Sequence, residues 1–335
     1  MESTELLKKM VVVGCRLDVI IYGTLMDGFS KTGKISVAIK LHKEMAKGNE
    51  ESGVICRPDV VTYNTIIDGL CKAGLIEKAR QLFFEMKSSG ISPDVVTYTI
   101  LIHGFCHLGD WEIVKSLFIS MMDQGVRPCV VTFSVVIDFR CKKGKLDEAN
   151  RLLQLMIQQG VEPDAYIYSI LMNGYFLAGR IGYARELFDS ITREGYRAGV
   201  VCYSTLIKWY CKNKIVNKAR SLYREMISEG IRPNVIVYTT LINRLCNSGQ
   251  LENANELLSY MEEKSCAPDE VTFGMLMFGF LKNNEIPKVV ELLHKMAERN
   301  LKPTEFIMSL VMQLLVKTEN YRECLNQLPQ FLVQK

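Results

Sequence analysis

Apolar residues in this chain fall at helical spacing and in paired stripes. Tyr63, Ile66, Ile67, Leu70 and Cys71 lie at offsets of three, four, seven and eight, which puts them on one face of a helix, termed helix A. Lys72, Ala73 and Gly74 break that stripe, and Ala79, Leu82, Phe83 and Met86 draw a second one with charged residues between them, termed helix B. Glycine at the break tolerates the left-handed conformation that ends a helix. A second glycine, Gly90, closes helix B, and Pro93 stops it propagating. Residues 60–94 are therefore predicted to form a closed helical hairpin. Such a hairpin has apolar residues on both sides of its own interface, so it must stack on neighbours to bury them.

The neighbours are written in the same pattern. An aromatic residue returns seven times at an interval of 35, as Tyr63, Tyr98, Phe133, Tyr168, Tyr203, Tyr238 and Phe273, and these are assigned to the core. The glycine of the break recurs as Gly33, Gly74, Gly109, Gly144, Gly179 and Gly249, with Asn284 in the same place and Lys214 as the one poor fit. Prolines follow helix B at Pro58, Pro93, Pro128, Pro163, Pro233, Pro268 and Pro303. The repeats are 60–94, 95–129, 130–164, 165–199, 200–234, 235–269 and 270–304. Before them stands 19–59, whose extra length is a polar loop after helix B. Residues 1–18 read as the second helix of a truncated repeat, with the true start upstream, and 305–335 as an incomplete terminal repeat or cap. The expected fold is all-α, a solenoid of tandem helix–turn–helix repeats, which this composition of 48% hydrophobic and 23% charged residues can support.

Little in the chain suggests chemistry. Cys71, Cys106, Cys141, Cys211 and Cys246 share one place in helix A and are read as core residues, and no Cys-x-x-Cys occurs. His103 and His107 lie one helical turn apart, but no Glu follows His103 as a zincin needs, so they are read as surface or groove imidazoles. Four histidines supply acid–base catalysis poorly, and no nucleophile elbow, Walker loop or dinucleotide fingerprint is present. The deaminase signature is also missing. The chain is expected to be no enzyme and to need no metal or cofactor. Glu2 and Glu5 argue against an acid-poor transit peptide, and no apolar run reaches the ~18 residues of a membrane span.

The segment Val61 to Gly74, Val-Thr-Tyr-Asn-Thr-Ile-Ile-Asp-Gly-Leu-Cys-Lys-Ala-Gly, and the closing Ile91-Ser92-Pro93-Asp94 closely resemble the pentatricopeptide repeat (PPR) of plant organelles. The resemblance covers almost the entire chain. The 34-residue tetratricopeptide repeat needs a Trp-x-x-Leu-Gly-x-x-Tyr core, whereas Trp111 and Trp209 occupy unrelated places. The uniform repeat length resembles the plain P-type, and the extended first repeat with Cys-Lys-x-Gly resembles the restorer-of-fertility-like branch. The resemblance implies a right-handed superhelical α-solenoid that binds single-stranded RNA, one base per repeat. It further implies a monomer, away from membranes, that acts on organelle transcripts through stability, processing or translation and recruits RNA-processing proteins. A mitochondrial location is implied ahead of the chloroplast.

By the same resemblance, the fifth residue of each repeat faces the base and the last residue orients it. Asn64 with Asp94 is assigned uracil, Ser134 with Asp164 and Thr239 with Asp269 guanine, and Ser204 with Asn234 adenine. Gly23 with Asp59, Thr99 with Cys129, Ser169 with Gly199 and Gly274 with Thr304 depart from the well-read pairings; these repeats are expected to be permissive, with a purine favoured at Thr99. The second residues, Val61, Val96, Val131, Tyr166, Val201, Ile236 and Val271, are expected to clamp bases, and Lys31, Lys72, Lys142, Lys212 and Lys282 to meet phosphates. Each position also has a structural use: Asp94 and Thr62 as N-cap residues, the lysines against the helix dipole, Val61 in packing. A protein-binding scaffold is the alternative function.

Overall fold

The computed structural model describes residues 18–47, 57–193 and 199–317. The predicted helix in 1–18, most of the long loop of repeat 19–59, Gly195 and everything after 317 lie outside the described residues. The chain divides into two compact units, 1–178 and 179–335, and the division falls inside repeat 165–199. The first unit holds α1 (Val19–Lys31), α2 (Ile35–Lys47), α3 (Val60–Lys72), α4 (Ile76–Ser88), α5 (Val95–Leu108), α6 (Trp111–Asp123), α7 (Val130–Lys142), α8 (Leu146–Gln158) and α9 (Ala165–Leu177). The second holds α10 (Ile181–Arg193), α11 (Val200–Lys212), α12 (Val216–Ser228), α13 (Val235–Asn247), α14 (Leu251–Glu263), α15 (Glu270–Lys282), α16 (Ile286–Glu298) and α17 (Glu305–Lys317). All regular structure among the described residues is helical, in tandem repeats of the predicted length.

Most A helices start where the sequence supplies a side-chain cap. The carboxylate of Asp59 accepts the backbone N–H of Thr62 at 2.9 Å and that of Asp94 the N–H of Thr97 at 2.8 Å. The threonine hydroxyls return the favour by accepting the N–H of Asp59 and Asp94, which closes a reciprocal capping box at both starts. Asp164, Asp269 and Asn234 cap their helices through the same first bond. The break between A and B is left-handed throughout, and Lys214 adopts it despite its side chain, at φ 62°.

Stacking follows from the stripes. In the first unit α1, α3, α5, α7 and α9 pack in succession, and α2 and α4 each also touch the A helix that follows; in the second unit α11, α13, α15 and α17 do the same, with α14 against α15. The recurring aromatics are all buried, and several meet a ring from the preceding helix B edge to face. Phe83 meets Tyr98 at 5.5 Å, Phe118 meets Phe133 at 5.5 Å and Phe188 meets Tyr203 at 4.9 Å between centroids. His42 holds the same place in the first repeat; it sits 4.6 Å from Tyr63, and burial lowers its pKa to about 4.

The cysteines of helix A have a packing reason that the apolar pattern alone did not reveal. A Cβ added to Gly174 would lie 2.7 Å from Sγ and 2.8 Å from Cβ of Cys141, and one on Gly279 would lie 2.6 Å from Cβ of Cys246. Glycine on one helix and a small thiol on the one before it let successive A helices touch. Burial pushes the thiols of Cys71, Cys106 and Cys141 up to about 12, so they behave as small apolar groups.

Two stability changes of opposite sign follow. Gly279→Ala forces backbone apart at Cys246, and a loss of roughly 1–3 kcal/mol is expected even though alanine favours the helix. Lys214→Gly relieves a left-handed residue and is expected to add about 1 kcal/mol. Urea unfolding of each variant checks both.

Candidate functional site

One row of side chains breaks the rule that apolar groups are inside. The second residue of every A helix points outward: Val61, Val96, Val131 and Tyr166 are 49–61% exposed in the first unit, and Val201, Ile236 and Val271 are 38–56% exposed in the second. A repeated, exposed apolar row is a feature of binding surfaces rather than of a core. Ile20 and Phe306, at 75% and 43% exposure, continue the series in the flanking repeats. Sequence reasoning did not single these two out, although each stands two residues after a cap position, Asp18 and Thr304.

The fifth residues lie beside this row in half-covered or covered positions, and their hydrogen bonds divide them into two kinds. Asn64 donates from Nδ2 to Asp94 Oδ1 at 3.1 Å, and its Oδ1 accepts from the Thr97 hydroxyl at 2.7 Å. Thr239 reaches Asp269 through Thr272: the two hydroxyls are 2.7 Å apart, and Thr272 donates onward to Asp269 Oδ1 at 2.7 Å. Thr99 reaches Thr132 at 2.7 Å, which in turn lies against Cys129. The serines differ from the expected pairing. Ser134 donates to the Val131 carbonyl at 2.8 Å and Ser204 to that of Val201 at 2.9 Å, with no bond to Asp164 or Asn234, whose side chains are committed to caps. A serine hydroxyl is short and close to its own backbone, and it bonds there first. Ser169 likewise donates to the Tyr166 carbonyl. Gly23 offers no side chain, Gly199 caps its helix without one, and Gly274 is covered by Phe306 and Ile307. Thr304 accepts the N–H of Ile307 at 3.3 Å.

Asp94 shows the electrostatics of a held pair. Burial works to raise its pKa, and hydrogen bonds from Thr97, Asn64 and the Val96 N–H outweigh it, so the carboxyl stays charged below its ordinary range.

The lysines are exposed but unequal. Lys31, Lys72 and Lys142 each pair with an aspartate one turn earlier, Asp27 at 2.7 Å, Asp68 at 2.5 Å and Asp138 at 2.6 Å. Hydrogen bonding to those carboxylates raises the pKa of Lys72 and Lys142. Lys212 and Lys282 follow Lys208 and Phe278 instead, so the two lysines of the second unit lack the aspartate one turn earlier that pairs with those of the first. Exposed pairs of this kind are weak and can be exchanged for a phosphate.

In the first unit these roles meet at one place. Ser134, Lys142 and Tyr166 line a single cavity of about 180 Å³, with Asp138 and with His103 and His107 from α5. The two imidazoles face each other, Nε2 to Nε2 at 3.3 Å, and burial, then His107, lowers the pKa of His103. No group of three metal-ligating side chains occurs among the described residues.

Stacked hairpins that repeat one exposed apolar residue, beside a hydrogen-bonding residue in most repeats, define a helical-repeat protein. Sequence profiles refine this: those of the PPR repeat family match residues 58–107, 128–177, 198–247 and 233–282, those of the PPR repeat match 96–126, 166–196 and 271–301, and those of the pentatricopeptide repeat domain match 5–73. The chain belongs to the pentatricopeptide repeat family. No curated protein matches it by sequence. Its fold is similar to the crystal structure of PPR10 from maize, with 22% identity over 99% of this chain and 56% of that one and a TM-score of 0.54. It is also similar to PPR10 in complex with an 18-nt psaJ RNA element, with 22% identity, 99% and 58% coverage and a TM-score of 0.50. The chain thus spans a little over half the length of these structures.

Asp94→Ala removes the cap of α5 and is expected to lower stability by about 1 kcal/mol at neutral pH. Because the folded carboxyl lies below its unfolded value of about 3.9, this contribution is complete above that pH and fades as pH falls through the folded pKa. Unfolding curves of wild type and variant should differ at pH 7 and approach each other in acid.

Proposed function

We propose that this chain is a sequence-selective single-stranded RNA-binding protein that reads one base per repeat. The observation that carries the proposal is the cavity lined together by Ser134, Lys142 and Tyr166, because a hydroxyl, a cation and a ring at one site match a base edge, a phosphate and a base face. The RNA-bound form of PPR10 supports the same reading. RNA runs 5′ to 3′ along the chain, and the repeats from 19–59 onward select any base, U, a purine, G, any base, A, G and any base. Its mode of action is occupancy of the strand, without covalent chemistry, on organelle transcripts whose stability, processing or translation it alters.

The finer placement extends the family membership: a plain P-type protein of the restorer-of-fertility-like branch, from a plant mitochondrion, acting as a monomer that recruits RNA-processing proteins. The 35-residue repeat length and the Cys71-Lys72-Ala73-Gly74 segment support this placement.

Selection from a randomised RNA pool tests binding, polarity and base order together; enrichment of no RNA, or capture of peptides alone, would reject the proposal in favour of a protein scaffold. Asn64→Ser should move the preferred base opposite repeat 60–94 from uracil towards a purine. Lys212→Ala should weaken binding to every sequence alike and lower the salt slope by about one, more than Lys142→Ala does, since Lys142 must first leave Asp138.

A further inference from the structure

We infer that the third residue of the following repeat is a further specificity-determining position, where a threonine hydroxyl holds the base-facing side chain of the preceding repeat in one hydrogen-bonding orientation. The inference rests on the RNA reading proposed above. The three threonines concerned are Thr97, Thr132 and Thr272, each completely buried, so water does not replace their bonds.

Thr97 is the fullest case. Its Oγ1 accepts the Asp94 N–H at 3.1 Å, and its own hydrogen has two acceptors, Asn64 Oδ1 at 2.7 Å and Asp94 Oδ1 at 2.9 Å. Given to Asn64, that hydrogen marks one end of the amide as the acceptor while Asp94 marks the other end as the donor. The amide cannot flip without losing both bonds, and one N–H and one lone pair remain for a pyrimidine edge.

The other two show that the last residue sets the direction of the relay. Thr272 gives its hydrogen to the Asp269 carboxylate, an acceptor only, so the bond between the two hydroxyls must run from Thr239 to Thr272. Thr239 is left with lone pairs facing outward, which suits the N–H groups of guanine. Where Cys129 replaces the carboxylate, Thr99 gives its hydrogen to the Val95 carbonyl at 2.7 Å, and Thr132 donates to Thr99 instead.

The pairing is also visible as a pattern. Asn64, Thr99 and Thr239 are followed by threonine at this position, whereas Ser134, Ser169 and Ser204 are followed by Ile167, Cys202 and Val237. A side chain that reaches away from its own backbone has a buried hydroxyl to hold it, and a serine held by its own helix has none. Thr62 is the natural control: it makes the same cap bonds, yet the residue it faces is Gly23, whose missing side chain leaves nothing to orient.

The test uses the full chain and RNAs identical except for uracil or cytosine opposite repeat 60–94. Thr97→Val keeps the backbone bond to Asp94 and removes only the hydroxyl. It is expected to reduce the uracil-over-cytosine ratio of affinities roughly three- to tenfold, the worth of one hydrogen bond, while Thr97→Ser preserves the ratio and Thr62→Val leaves it unchanged. Should Thr97→Val lose its helical circular dichroism, Thr272→Val carries the same test for guanine over adenine opposite repeat 235–269. An undiminished ratio in the folded valine variant, or an equal fall in Thr62→Val, overturns the inference alone. A wild-type chain that binds no single-stranded RNA overturns the proposed function and the inference with it.

Discussion

A pair of short helices cannot cover its own apolar stripes, and everything else in this protein is arranged around that shortage. Within each unit, hairpins complete their cores on their neighbours, at several joints through a ring of helix B set edge-on against an aromatic of the following helix A, as Phe83 is against Tyr98. The close approach at Gly174 and Cys141 brings successive A helices together in the same way. Because the joint recurs, whatever lies beside it recurs too, and a surface with one rung per repeat is the outcome.

The rungs owe their order to helix capping. The last residue of one repeat is the N-cap of the next helix A, so the carboxylate of Asp94 or Asp269 is anchored by backbone N–H groups before any ligand arrives. Anchoring holds a charged acceptor next to the fifth residue of the same repeat. In the proposed reading one side chain meets both a structural and a recognition need, so a cap and a reading residue share one residue type.

Charge is distributed less evenly than shape. Aspartates one turn before Lys31, Lys72 and Lys142 neutralise much of the cationic column in the first unit, whereas Lys212 and Lys282 stand without them. With a formal net charge of only +4, the proposed reading places discrimination on the hydrogen-bonding groups rather than on charge.

Periodicity alone determined the described helices, their pairing and the core aromatics, because a 35-residue spacing of apolar stripes, glycines and caps phases them together. The outward row was also legible, apart from Ile20 and Phe306, where the repeats at the ends are less regular. The bond from Asn64 to Asp94 was legible from the pairing of fifth and last residues, but a list of residues does not say that Asn64 also meets Thr97 across 33 positions while Ser134 turns back on Val131. Nor does it say that glycine and cysteine face each other between neighbouring A helices. Those outcomes depend on distances of a few tenths of an ångström between elements remote in the chain, and only packing in three dimensions sets them.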